Sequence, residues 1–92
     1  MVKSAMPVYP TARLDVELRR VGNEWVLFDA RRERAHVLNL TAAVVWTYCD
    51  GAHGSDAMAD AIARALDGAP ALAVHADIEQ VLRRFRDEGL LQ

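Results

Sequence analysis

A single cysteine, Cys49, among 92 residues excludes an internal disulfide and leaves no thiol framework for a structural zinc site. A reducing compartment fits that usage, and the cytoplasm is the expectation. No apolar run approaches the length of a membrane span, and Met1 to Thr11 lacks the continuous apolar stretch of a secretory signal. A soluble chain with no membrane partner follows. Positive charge is not in excess either: 11 Lys and Arg against 13 Asp and Glu give a formal net charge of -2 and a pI near 5.8. That balance argues against a sequence-independent nucleic-acid binder, which needs a basic surplus to neutralise phosphates.

The residues of catalysis are equally sparse. No nucleophile with an adjacent base, no pair of carboxylates and no metal-ligand cluster stands at a persuasive spacing. Cys49 with His36 or His53 comes nearest, but Cys49 falls on the apolar side of an expected helix, where a thiol is inert. His36, His53 and His75 are too scattered for a metal site, and Gly51 and Gly54 lack the lysine and the strand-to-helix setting of a phosphate loop. No enzyme, no cofactor and no metal are expected.

What is present is a foldable chain, 52% hydrophobic and 26% charged, of a length suited to one core. Residues 1–14, with Pro7, Tyr9 and Pro10, show no periodicity and are expected to be an irregular segment, leaving 15–92 as the domain. Alternation around Val16 and Leu18 reads as a strand, broken by Gly22-Asn23. Glu24-Trp25-Val26-Leu27-Phe28-Asp29 reads as a second strand and Ala35-His36-Val37-Leu38 as a third, joined by the charged run Ala30 to Arg34. After Leu38 the period lengthens. Asn39 or Thr41 can cap a helix carrying Ala42, Val45, Trp46 and Cys49, and Asp50-Gly51 ends it. Ser55 is the expected cap of a second helix with Met58, Ile62, Ala65 and Leu66 on its apolar stripe. Asp67-Gly68-Ala69-Pro70 closes it. A third helix is expected from Ala76 or Asp77, with Ile78, Val81, Leu82 and Phe85 on one face, ending at Gly89. Trp25 and Trp46 read as core anchors. A three-stranded antiparallel N-terminal sheet followed by three helices is an α+β fold of winged-helix character, and its sheet keeps an open edge.

The segment His36-Val37-Leu38-Asn39-Leu40-Thr41-Ala42-Ala43-Val44-Val45-Trp46, followed by Cys49-Asp50-Gly51, resembles the PqqD family. Trp25 to Phe28 and the ending Arg86-Asp87-Glu88-Gly89-Leu90-Leu91 match the same pattern, so the resemblance runs from Val16 to Leu91. It implies a non-catalytic recognition element for ribosomally made, modified peptides. Such a module binds the leader of a precursor and presents the remainder to a modifying enzyme, often a radical-SAM enzyme. Relatives serve pyrroloquinoline quinone and lasso-peptide pathways, so the resemblance leaves the product open.

Carried onto this chain, the resemblance puts the peptide against the third strand, Arg34, Ala35, His36, Val37 and Leu38, and against Ile78, Val81, Leu82 and Phe85 of the last helix. Strand addition takes affinity from main-chain hydrogen bonds and specificity from side-chain pockets. Arg83 and Arg84, with Arg31, Arg32 and Arg34, could rim that cleft and steer acidic leaders, or stand as solvated charges beside Glu33, Asp87 and Glu88. Two other functions suit the same pattern. One is a DNA-binding winged helix, disfavoured because the second helix carries Asp56 and Asp60 against Arg64 alone. The other is a scaffold that forms a homodimer through its own exposed edge.

Overall fold

The structure, a computed structural model, describes residues 9–66 and 71–92. Strands β1 (Val16–Val21), β2 (Glu24–Asp29) and β3 (Arg34–Leu38) form an antiparallel sheet in that order, and α1 (Leu40–Thr47), α2 (Ser55–Ala65) and α3 (Ala71–Asp87) follow. The first turn is tight because Gly22, at φ +62°, opens a two-residue link matched to the twist of the flanking strands. The second is longer and is tied by Asp29 Oδ1, which accepts from the Arg32 amide at 3.3 Å.

Register then decides what is buried. Val16 faces Asp29, Leu18 faces Leu27, and Leu27 in turn faces His36, so one side of the sheet presents Val16, Leu18, Trp25, Leu27, His36 and Leu38 to the helices. Leu27 is wholly enclosed. The helices supply Ala42, Val45, Trp46, Met58, Ile62, Ile78, Leu82 and Phe85, with the Trp46 and Phe85 rings edge to face at 5.4 Å. On the other side of the sheet Val26 is buried while Phe28 and Val37 stay exposed.

Helix ends follow local chemistry, with two departures from expectation. Asn39 caps α1, its Oδ1 accepting from the Ala42 amide at 2.8 Å. The residue before α2 is Gly54 rather than Ser55; Ser55 is already helical, and no side chain caps that end. The last helix begins at Ala71, five or six residues before the expected start at Ala76 or Asp77. The segment Asp67 to Pro70, expected to close α2, lies outside the described residues. At the far end of α3, Leu90 N–H bonds Phe85 O and Gly89 N–H bonds Arg86 O, the paired closure that Gly89 permits at φ +68°.

Residues 9–13 are integral to this body rather than appended to it. Gly51 N–H bonds Pro10 O, Ala12 N–H bonds Cys49 O, Arg13 N–H bonds Leu90 O and Gln92 N–H bonds Thr11 O. The strand-like bridges Thr11 to Asp50 and Ala12 to Leu91 thus stitch the start of the described chain to the link after α1 and to its end. Arg13 completes the seam. Its guanidinium forks onto Asp29 at 2.9 and 3.2 Å and donates to Gly89 O at 3.0 Å.

Candidate functional site

β3 lies at an edge of the sheet with β2 on one side, and α3 passes near the other. Within an antiparallel pair a residue turns both its N–H and its C=O either toward its neighbour strand or away from it. Arg84 Nη2 of α3 donates to the Val37 carbonyl at 3.3 Å, so that carbonyl points away from β2. By the same alternation Ala35 offers its amide and carbonyl to the open edge, while Arg34, His36 and Leu38 complete the ladder with β2.

The expected site residues therefore divide. Arg34, Ala35 and Val37 are exposed, Val37 by 54%, and Arg83 is exposed on α3. Arg84 is half-buried beside the edge, while Val81, also half-buried, packs against the core. Ile78, Leu82 and Phe85, expected on the peptide wall, are 0, 3 and 0% exposed and belong to the core instead. A 17-residue helix packed along one stripe spends its most apolar positions on the domain's own interior. His36 and Leu38 are likewise buried and their main-chain groups pair with β2, so neither faces the open edge.

Glu88 joins this site without having been singled out in the sequence except as a neutralising neighbour. Its carboxylate contacts His36 Nδ1, and its other oxygen lies 3.6 Å from Arg84 Nε. The Arg84 to Glu88 spacing of four residues was the available signal, one helical turn on the same face. The His36 contact was not legible, because it crosses from strand to helix. His36 Nε2 is buried with no hydrogen-bond partner among the described residues. Val37 O, Arg84, Glu88 and His36 thus form one chain of contacts tying β3 to the end of α3.

The other arginines of the expected rim are used unequally. Arg31 pairs with Asp15 at 3.1 Å, and Arg32 donates to Glu88 O at 3.0 Å. Arg34 and Arg83 have no ion-pair partner among the described residues. Cys49 is buried, and desolvation pushes its thiol up to about 12, so it stays protonated near neutrality. His53 Nδ1 meets Asp50 at 2.9 Å, a contact that holds the Asp50 carboxyl below its usual range.

Fold and edge together define a small α+β winged-helix-like domain with an addressable edge strand beside its last helix. The chain belongs to the PqqD family: the model of coenzyme PQQ synthesis protein D matches residues 24–91. Two solved structures share the fold. TbiB1 in complex with the TbiA(beta) leader peptide is 20% identical with a TM-score of 0.72, over 89% of this chain and 94% of that one. Lasso peptide synthetase B1 complexed with the leader peptide is 18% identical with a TM-score of 0.74, over 90% of this chain and 96% of that one. A search of curated proteins finds no match.

Proposed function

We propose that this protein is a non-catalytic peptide-capture module, acting in the cytoplasm, that takes the leader of a ribosomally made precursor onto the open edge of β3 and presents the rest to a modifying enzyme. The observation that carries this reading is the edge itself. Ala35 and Val37 stand exposed on a strand whose outward carbonyl is covered by one long hydrogen bond from a half-exposed arginine. An edge built to resist pairing would be shortened, bulged or buried under another element. Here α3 reaches the edge through Arg84, so an extended peptide would gain main-chain bonds from β3 and side-chain contacts from the helix. Family membership supports the same reading, as does the likeness to two domains solved with leader peptides bound.

The test is an NMR titration of isotope-labelled protein with the leader half of a precursor encoded beside its gene. Amide shifts confined to Arg34–Leu38 and to residues 80–88 are expected. Saturating shifts centred on α2, or none with any such leader, would overturn the reading.

A further inference from the structure

We propose that Arg84 is the residue by which this edge selects its peptide: it holds the incoming strand's place at the Val37 carbonyl and, once displaced, pairs with a carboxylate on that peptide. The inference rests on the peptide-capture reading above and adds a chemical demand to it.

Geometry supports the displacement. The hydrogen bond from Arg84 Nη2 to Val37 O, at 3.3 Å, is longer than a well-formed N–H···O hydrogen bond of about 2.9 Å, and the side chain making it is 40% exposed. A peptide N–H aligned with β3 would take that acceptor on better terms. Arg84 would not be freed to wander. Glu88, one turn further along α3, keeps it near the edge at 3.6 Å, a distance that leaves the guanidinium fork unsatisfied. Arg84 Nη1 has no hydrogen-bond partner among the described residues.

Charge supports the choice of partner. Arg34 on β3 and Arg84 on α3 are cations of this edge, Arg83 is exposed next to Arg84 in sequence, and Glu88 is the carboxylate in contact with Arg84. Glu88 is also shared with His36, while Glu33 and Asp87, both exposed, form no ion pair among the described residues. A guanidinium that has lost its carbonyl is best satisfied by a planar carboxylate, which it can grip with two parallel bonds. The peptide is therefore expected to carry Asp or Glu at one fixed position beside the residue whose amide reaches Val37 O.

Random 12-residue peptides displayed on phage and selected on the immobilised full chain would test this whatever the sequence of the natural precursor. The wild type should enrich Asp or Glu at one position of the selected peptides by about fivefold, the scale of a partly exposed charge pair. Arg84→Lys should keep a weaker acidic preference, Arg84→Gln should abolish it while still selecting extended peptides, and Arg84→Glu should turn it toward Lys and Arg. An acidic preference unchanged in Arg84→Gln, or wild-type peptides with none, overturns the proposal and leaves peptide capture standing. If the wild type selects no peptide at all, both fall together.

Discussion

Two arginines in this protein clasp distant parts of the chain, and they do so under opposite conditions. Arg13 forks onto Asp29 at 2.9 and 3.2 Å and reaches Gly89 O, with side-chain exposures of 11% and 0% for the pair. Arg84 touches Val37 O at 3.3 Å and Glu88 at 3.6 Å, with exposures of 40% and 32% for the charged pair. In the first clasp the fork closes on a buried carboxylate, and losing Arg13 strands that charge away from water. In the second, water competes for each contact, so the arrangement can be exchanged for another at little cost. The same side chain serves as a rivet at one end of the sheet and as a replaceable cover at the other, and solvent access separates the roles.

Breaking the rivet should have the largest effect. Arg13→Ala leaves the Asp29 carboxylate enclosed without its cation and unties residues 9–13 from Gly89. A fall of the thermal midpoint on the order of ten degrees is expected by circular dichroism. A shift no larger than that of an exposed arginine would erase the contrast between the two clasps.

Proline placed on β3 sharpens the comparison at the other end. His36→Pro removes an amide from the ladder with β2 and should cost about 3 kcal/mol or more in urea unfolding. Ala35→Pro removes an amide that faces the open edge, so it should cost distinctly less while weakening capture of a leader peptide. Equal losses of stability would mean that the outward-facing residues of β3 are misassigned.

Acid reads the rivet through its charge. The Arg13 guanidinium holds the Asp29 carboxyl below its usual range, as it does Asp15, despite the opposing effect of desolvation. A carboxyl depressed in the folded state contributes stability in full above its unfolded pKa of about 3.9, and that contribution disappears as pH falls through the lower folded value. Urea midpoints should therefore drop on acidification below about pH 4, and Asp29→Asn should flatten that limb while lowering the plateau at neutral pH. The smallest effect belongs to the cover: Arg84→Gln should change stability by about 0.5 kcal/mol or less at neutral pH.

Much of this architecture was legible because it rests on neighbours in sequence. Alternation located β1, aromatic and β-branched content located Glu24–Asp29, the short run Ala35 to Leu38 located all but the first residue of β3, Asn39 or Thr41 announced α1, and Gly89 announced the end of α3. The signals misled where local chemistry was degenerate. Ser55 is as good a cap as Gly54, but backbone geometry put the cap one residue earlier. The start of α3 was hidden because Ala71 to His75 carries little amphipathic pattern to distinguish helix from loop. At the candidate site, spacing found the stripe of Ile78, Val81, Leu82 and Phe85 but could not say which of its members face the domain's interior.

The sequence by itself determined the order of strands and helices, a sheet with an open edge, and the family, since each depends on short-range pattern and on residues read in order. Only the tertiary structure decided that Asp29 is buried against Arg13 from 16 positions away, that His36 meets Glu88 across the gap between strand and helix, and that Arg84 covers Val37. Those contacts are set by the approach of elements far apart in the chain. Burial there turns one arginine into structure and leaves the other free to be exchanged.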